Sequence, residues 1–301
     1  MPDATRTSVY DRIALNRSKS LILFSLFFVF IVFLGYTFGM LFGSAYFGLI
    51  IAFVIAFLLF FASYYYSDSI VLGISGAREV KHSEFPFLDN AVEGLAIASG
   101  IPKPRLYIIN DTAPNAFATG RNPQKSVICV TTGLLQKLNR NELEAVLGHE
   151  MSHIKNYDTR LMVITVVLVG VIVLLSDWII RSLWYGRSGN RNMGKAEWII
   201  LAIGIVFAIL SPFIAQIIKM AISRKREFLA DADSALLTKN PPALASALEK
   251  ISSDKEPLEA ANKATAHLYI INPLKNYKGW LDNLFSTHPP IKERIAALRG
   301  M

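Results

Sequence analysis

The sequence is poor in cysteine and in charged residues, and both shortages exclude classes of protein. Cys129 is the single cysteine of the 301-residue chain, so the fold cannot depend on an intramolecular disulfide. Charged residues make up 18% of the chain, against about 25% in an ordinary soluble domain. Hydrophobic residues make up 52%, which excludes an intrinsically disordered protein.

The longest stretch without charge covers residues 20–67, which contain no Asp, Glu, Lys or Arg over 48 positions. A membrane-spanning helix needs about 20 mostly apolar residues, so this stretch predicts two successive transmembrane helices. Glycines interrupt the aliphatic run between Gly35 and Ser44, where the turn is expected. Residues 1–19 are then a basic N-terminal tail, which lies in the cytoplasm according to the positive-inside rule.

Two more apolar segments, residues 161–180 and 198–218, predict a second transmembrane hairpin over residues 161–218. The basic loop between them conflicts with the positive-inside tendency, so the alternative is a pair of helices that lie only partly in the bilayer. Residues 68–160 and 219–301 have soluble character and are predicted to form two parts of one domain. The net charge of +8 includes basic residues that flank the apolar segments, which favours a lipid bilayer as partner and argues against nucleic acid.

The soluble segments predict a mostly helical domain with a small β-sheet. The predicted strands are Arg105–Ile109, 115–120 and Ser126–Thr131. Asn139 and Glu142 have the spacing of a capping box, which predicts a helix from residue 140 to residue 156. Further helical patterns occupy residues 223–237, 242–251 and 291–298. The expected fold class is therefore mostly α with a small β-sheet, joined to four transmembrane helices.

The strongest functional signal is His149-Glu150-Met151-Ser152-His153, an H-E-x-x-H pattern on that predicted helix. Residues four apart lie on one helical face, so the two imidazoles can bind one metal ion. Zinc is the expected cofactor, with one ion per chain, because neutral imidazole suits it. Glu150 is then placed to act as general base on the zinc-bound water.

A catalytic zinc needs a third protein ligand, and the sequence leaves several open. The candidates are Glu227, Asp231, Asp233, His267 and His288. Glu227 and Asp231 are favoured, because their spacing lets one carboxylate bind zinc while the other accepts the ring N–H of a ligating histidine. This pair and the two histidines lie on opposite sides of the second apolar hairpin, so an even number of membrane crossings must separate them.

Three further features bear on substrate binding. One predicted strand can bind a peptide along its edge by β-augmentation. The residues of this edge are Asn115, Ala116, Phe117 and Ala118. The same residues can instead form an ordinary interior strand. His288 can donate a hydrogen bond to a tetrahedral oxyanion, or can be a helix-entry residue. Arg294, one turn into the last helix, can help in the same way, but it is expected on the protein surface.

These motifs together resemble the HtpX family of bacterial membrane-bound zinc metalloproteases, which is related to the CAAX prenyl proteases. The stretches that carry the resemblance are His149-Glu-Met-Ser-His153, Glu227-x-x-x-Asp231, residues 115–120 and Thr287-His288-Pro289. The resemblance implies a gluzincin-like catalytic domain with His149, His153 and Glu227 as zinc ligands and Glu150 as the catalytic residue. Asp231 is then the partner of a ligating imidazole.

The resemblance also implies a multi-pass protein of the bacterial plasma (inner) membrane whose catalytic domain is cytoplasmic. Its expected function is hydrolysis of peptide bonds in membrane proteins or peptides, in the quality control of membrane proteins. The alternative is a membrane transporter or scaffold that binds zinc without hydrolysis. Transporters usually have more spans and more polar residues within them, which argues against that alternative.

Overall fold

The computed structural model describes residues 9–41, 43–167, 224–261, 265–273 and 289–301. Most of the predicted second hairpin, together with His288, lies outside the described residues. The elements follow in the order α1 (Val9–Leu41), α2 (Ala45–Tyr65), α3 (Ser67–Ile74), β1 (Arg78–Glu79), α4 (Pro86–Ser99), β2 (Arg105–Ile109), β3 (Ala116–Gly120), β4 (Ser126–Thr131), α5 (Thr132–Lys137), α6 (Arg140–Lys155), α7 (158–167, as far as described), α8 (Arg224–Thr238), α9 (Pro241–Ser253) and α10 (Ile291–Arg299). The chain is thus mostly helical with a small sheet.

Helices α1 and α2 form an antiparallel hairpin. By length and composition both can cross a membrane, over Ala14–Tyr36 and Ala45–Tyr65, and they are the two candidate spans among the described residues. Large apolar side chains such as Leu21 and Phe57 are more than half exposed on the outside of the hairpin, as lipid-facing residues are. Helix α1 begins at Val9, so the second half of the predicted N-terminal tail is helical.

The turn of this hairpin lies at the very end of the predicted interval. Helix α1 continues through Gly35 and Gly39 to Leu41. These two glycines were expected to break the helix, and they do not. A Cβ atom on Gly35 would collide with Ala52, and one on Gly39 would collide with the backbone of Gly48. These glycines therefore let the two helices approach closely, as small residues do in membrane helix pairs.

The sheet has the strand order β1-β2-β4-β3. Strands β2 and β4 are parallel, whereas β1 pairs with β2 and β3 pairs with β4 in antiparallel orientation. Every residue of β3 and β4 is buried, so both faces of these strands are covered by the core. The three predicted strands are confirmed, and β1, which has only two exposed residues, carries no sequence signal.

Helix α6 lies at the centre of the core and packs against α4, α8, α9, β3 and β4. The capping box predicted at its start is confirmed. Asn139 Oδ1 accepts a hydrogen bond from the Glu142 backbone N–H at 3.0 Å, and Glu142 Oε2 accepts one from the Asn139 N–H at 2.8 Å. Helix α4, which none of the sequence motifs predicts, has proline in its first turn and ends at Gly100 in the left-handed conformation (φ 72°).

Helix α8 approaches α6 closely and brings its first turn to the two histidines. Ser234 Oγ donates a hydrogen bond to the Ala145 carbonyl oxygen at 2.6 Å, and a Cβ atom on Gly148 would lie 3.0 Å from Ser234 Oγ. The buried face of α8 carries Glu227 and Asp231 as well as Ser234. The three predicted C-terminal helices are confirmed, with ends within two residues of those expected.

Candidate active site

The two histidines of the H-E-x-x-H pattern point their Nε2 atoms at each other and at a carboxylate. The Nε2 atoms are 3.2 Å apart, and the Glu227 carboxylate lies 3.9 Å from His149 Nε2 and 3.5 Å from His153 Nε2. All three side chains are buried, and one ligand atom of each lies within 4.8 Å of the others. Among the described residues this is the one cluster of its kind, and its donor set fits a zinc ion.

His149 is oriented from within the core. Its Nδ1 lies 2.9 Å from Asp231 Oδ1, the contact expected of the residue that accepts the ring N–H of a ligating histidine. Asp231 in turn accepts two hydrogen bonds from Arg294, from Nε at 2.8 Å and from Nη2 at 2.6 Å. With Nδ1 engaged in this way, the lone pair of His149 Nε2 faces the centre of the cluster.

The expectation that Arg294 lies on the surface is wrong. Its side chain is fully buried, with 0% exposure. Besides its paired contacts with Asp231, its Nη1 lies 3.4 Å from the Glu227 carboxylate and donates to the Ile270 carbonyl oxygen at 3.1 Å. Burial of a guanidinium group is tolerated here because carboxylates and a carbonyl satisfy its donors.

His153 is oriented by an aspartate that the sequence motifs do not identify. Its Nδ1 lies 3.1 Å from Asp158 Oδ2. The other oxygen of Asp158 accepts a hydrogen bond from Asn16 Nδ2 at 2.8 Å and lies 3.6 Å from Arg226 Nη1. The sequence signal that could have found Asp158 is its position five residues after His153, just beyond the end of α6.

Glu150 is buried next to the metal-binding residues and faces β3. Burial raises the pKa of Glu150 to about 7, and the negative charge of Glu227 adds to this shift. The backbone N–H of Ala118 hydrogen-bonds the carboxyl group, while Glu150 Oε1 has no hydrogen-bond partner. A carboxyl group that titrates near neutral pH and keeps one oxygen open suits both proton uptake and proton release.

The two imidazoles differ in their electrostatic surroundings. Burial lowers the pKa of His149, the hydrogen bond to Asp231 opposes that shift, and the positive charge of Arg294 adds to it. Burial also disfavours the charged form of His153, but Asp158 and Glu227 outweigh it and raise the pKa of His153 to about 9. The carboxylates of Asp158 and Glu227 therefore favour a positive charge near the two Nε2 atoms, as a site for a metal cation requires.

Of the predicted peptide-binding residues, Ala118 lies beside the site, because its backbone N–H hydrogen-bonds the Glu150 carboxyl group. Asn115, Ala116, Phe117 and Ala118 are all buried. The outer edge of β3 is used within the chain, because the Ala116 carbonyl oxygen accepts a hydrogen bond from the Ile270 N–H at 3.0 Å. Asn115 Nδ2 donates to the Ile271 carbonyl oxygen at 3.0 Å, which holds the same segment against the strand.

Two of the remaining candidates for the third ligand, His267 and Asp233, do not join the cluster. His267 is buried and its Nε2 donates to the Met162 carbonyl oxygen at 3.1 Å. Asp233 accepts hydrogen bonds from Ser152 Oγ at 2.6 Å and from Asn156 Nδ2 at 3.2 Å. His288 lies outside the described residues. Of the five candidates, the structure brings Glu227 to both histidines and Asp231 to His149 alone.

Comparison with known proteins finds a family and several similar relatives. A family model described as Peptidase family M48 matches residues 82–301. A "Protease HtpX homolog" from Dictyoglomus thermophilum is 54% identical over 239 residues, which is 79% of this chain and 77% of the relative. A "Protease HtpX homolog" from Caldanaerobacter subterraneus subsp. tengcongensis is 42% identical over 300 residues, which is 99% of each chain.

A solved structure supports the fold. The crystal structure of Ste24p from S. mikatae superimposes with a TM-score of 0.51, at 21% sequence identity, and the match covers 96% of this chain and 67% of that one. The likeness therefore extends across nearly the whole chain.

Proposed function

The chain belongs to peptidase family M48, and on that premise we propose that it is a zinc-dependent endopeptidase with His149, His153 and Glu227 as ligands of one zinc ion and Glu150 as general base. As a member of this family with close HtpX relatives, it is a membrane-associated metalloprotease. The observation that carries the proposal is the convergence of three ligand atoms within 4.8 Å, with an aspartate behind each imidazole.

The chemistry assigned to Glu150 is proton transfer. A zinc ion, when bound, polarises a carbonyl oxygen and makes water more acidic. Glu150 takes a proton from water as the water oxygen attacks the carbonyl carbon of the peptide bond. It then delivers that proton to the nitrogen as the C–N bond breaks, so a carboxylic acid and an amine leave. The Glu150 Oε1 atom has no hydrogen-bond partner, so it is open to take up and release this proton.

The substrate is proposed to be a peptide or membrane-protein segment that lies along residues 115–118, which are the start of β3 and the residue before it. This strand adjoins Glu150 through Ala118, so a peptide paired with it would place a carbonyl group near the general base. Such a peptide reaches Ala116 only after the hydrogen bond from Ile270 has opened. His288 is proposed to donate a hydrogen bond to the oxyanion, a role that rests on its sequence position alone.

The membrane arrangement is proposed to have four spans in the bacterial inner membrane. The tail at 1–19, the hairpins at 20–67 and 161–218, and the domain parts at 68–160 and 219–301 make up this arrangement. The two domain parts share one cluster of ligands, which supports an even number of crossings between them. The basic N-terminal tail supports a cytoplasmic catalytic domain, and that location supports a role in the quality control of membrane proteins.

Labelling of introduced cysteines tests this orientation. The native Cys129 is buried, so the thiol of a Gly189→Cys or a Gly300→Cys variant is the reactive one. In intact cells, a membrane-impermeant thiol reagent should label Gly189→Cys and should leave Gly300→Cys unlabelled until the cells are opened. Labelling of both variants, or of neither, in intact cells would contradict the four-span topology.

Metal content and peptidase activity of the full chain in detergent test the catalytic assignment. The parent should bind one zinc ion. Glu150→Gln should retain zinc and lose activity by about 10²–10⁴-fold, because it removes a general base. Glu227→Ala should lose zinc affinity and activity together.

Three outcomes would overturn different parts of this assignment. Full zinc affinity in Glu227→Ala would remove Glu227 from the ligand set. Peptidase activity that survives in Glu150→Gln would remove Glu150 from the role of general base. A zinc-loaded parent chain without peptidase activity would instead favour the transport or scaffold role.

A further inference from the structure

One polar residue of the hairpin points into the core rather than toward lipid. Asn16 lies near the start of the candidate span Ala14–Tyr36, and its exposure is 5%. Its neighbours Leu15 and Ser18 are exposed on the other side of α1. Polar side chains in membrane helices are costly unless they are paired, so the partners of Asn16 indicate what it does.

The carboxamide of Asn16 uses both of its ends on the soluble core. Its Nδ2 donates to Asp158 Oδ1 at 2.8 Å and to the Asn156 carbonyl oxygen at 3.0 Å. Its Oδ1 accepts a hydrogen bond from Arg226 Nη1 at 2.9 Å. One side chain of the membrane hairpin therefore joins the turn after α6 to the start of α8. Helix α6 carries the two metal-binding histidines, and the start of α8 carries Glu227.

The turn that Asn16 holds is conformationally strained. Tyr157 lies between Asn156 and Asp158 and adopts the left-handed region, with φ 59°. This region is unfavourable for a bulky L-residue and persists where surrounding contacts hold it. Asn16 binds the residues on both sides of Tyr157, so it fixes the position from which Asp158 reaches His153.

Asp158 divides its two oxygens between the membrane helix and the metal site. Oδ1 faces Asn16, and Oδ2 lies 3.1 Å from His153 Nδ1. Partners that orient a ligating imidazole set its tautomer and its direction. In the corresponding position on the other side of the site, Asp231 is held by paired hydrogen bonds from Arg294.

We propose that Asn16 is a positioning residue of the metal site, through which helix α1 holds Asp158 and thereby orients His153. This inference rests on the proposed role of His153 as a metal ligand. It makes the first membrane helix a structural part of the metal site as well as an anchor. Removing the carboxamide should loosen metal binding without touching a ligand.

The test measures metal affinity and ligand geometry in the full chain, purified in detergent. Asn16→Leu removes the amide at nearly constant size, and Ser18→Leu is the matched control on the exposed face of α1. Binding of Co²⁺ is followed by its visible absorption bands and by competition with a chelator. Asn16→Leu should weaken Co²⁺ binding about tenfold and shift the bands, since loss of outer partners costs about 10–100-fold in affinity. Ser18→Leu should match the parent in both.

A double-mutant cycle separates an action through Asp158 from a general loosening. Asp158→Asn should weaken Co²⁺ binding at least as much as Asn16→Leu. Asn16→Leu combined with Asp158→Asn should bind no more weakly than Asp158→Asn alone, because both changes act on one linkage. If the double variant lost Co²⁺ affinity by the product of the two single losses, the inference would be wrong.

Other outcomes are equally decisive. Parent-like affinity and bands in Asn16→Leu, beside a weakened Asp158→Asn, would overturn the inference while leaving the proposed function intact. A parent that binds no Co²⁺, or a Glu227→Ala variant that binds it fully, would instead refute the proposed ligand set. If both Asn16→Leu and Asn16→Ala fail to fold, as judged by circular dichroism and melting, Asn16 serves the fold and the inference is wrong.

Discussion

His149 and His153 lie one turn apart on the same helix, and each has an aspartate at Nδ1, yet the two aspartates depend on different parts of the chain. We call His149, Asp231 and Arg294 the core side of the site. His153, Asp158 and Asn16 form the membrane side. The core side is held by paired, buried hydrogen bonds within the soluble domain, whereas the membrane side reaches into helix α1.

We expect the core side to contribute more than the membrane side to the stability of the fold, and both sides to contribute to metal binding. A buried arginine whose partner is removed is costly, so the core side should contribute strongly to the free energy of unfolding. On the membrane side, Asp158 is held by the neutral amide of Asn16 and by Arg226, whose side chain is 11% exposed. Removing the partners of Asp158 should therefore cost the fold less than removing the partners of Asp231. Both sides should contribute to metal affinity, since each orients one imidazole.

The largest effect is expected from removing the buried guanidinium group. Arg294→Met leaves Asp231 buried without its paired donors, so the free energy of unfolding should fall by about 3–5 kcal/mol. Chemical denaturation of the detergent-solubilised chain measures this loss. Arg299→Met on the same helix is the control. Arg299 forms an exposed pair with Glu249, so its loss should cost at most about 1 kcal/mol. Equal losses of unfolding free energy in Arg294→Met and Arg299→Met would show that the core side does not stabilise the fold in this way.

The next effect compares the two aspartates directly. Asp231→Asn and Asp158→Asn should each weaken zinc binding by about 10–100-fold, because each changes the acceptor behind a ligating imidazole. The melting temperature should fall further for Asp231→Asn, because Arg294 has 0% exposure and loses a charged partner. Isothermal titration with zinc and thermal unfolding of both metal-free variants provide the two measurements. A lower melting temperature for Asp158→Asn than for Asp231→Asn would refute the expectation that the core side contributes more to stability.

The smallest effect tests whether the core can lose stability without losing metal. Glu142 caps α6 and accepts hydrogen bonds from Ser246 and from Lys250 Nζ, both at 2.7 Å. Glu142→Gln should lower the free energy of unfolding by about 1–2 kcal/mol at pH 7, because charge-assisted hydrogen bonds are lost, and should leave zinc affinity unchanged. Glu144→Gln, on the same helix but in an exposed pair with Arg140, should change stability by at most about 0.5 kcal/mol.

The contribution of Glu142 should also depend on pH. Burial disfavours its charged form, but the hydrogen bonds from Lys250, Ser246 and Asn139 outweigh burial and hold its pKa below the usual 4.5. The unfolded chain therefore takes up this proton first as pH falls. The stabilisation is complete above the unfolded pKa and is lost as pH falls through the folded pKa. The difference in unfolding free energy between parent and Glu142→Gln should shrink below pH 4.5, and a constant difference would contradict the assignment.

Features that depend on residues close together in the chain could be predicted from the sequence. The spacing of the two histidines, the capping box at Asn139 and the strand Ser126–Thr131 each depend on neighbours in the chain, so they could be read from the sequence. Gly43 lies in the turn of the first hairpin, as expected, but Gly35 and Gly39 lie within helix α1. A small residue can break one helix or let it contact another. Only the position of α2 beside α1 distinguishes the two cases.

Residues that act across long separations in the chain were harder to predict. Arg294 was expected to be exposed, as unpaired arginine usually is, but its partner Asp231 lies 63 residues away. Asp158 is only five residues from His153, yet its role depends on the left-handed conformation of Tyr157 and on Asn16, which lies 142 residues away. No periodic pattern encodes such contacts.

Long apolar helices, one helix with two imidazoles on the same face, and carboxylates at helical spacing can all be predicted from the amino-acid sequence. These properties follow from composition and from the 3.6-residue period of a helix. The contacts of Glu227 with both imidazoles, of Arg294 with Asp231 and of helix α1 with Asp158 appear only in the folded chain. Buried charges are stable only beside specific partners, and the packing of distant elements determines which partners they contact.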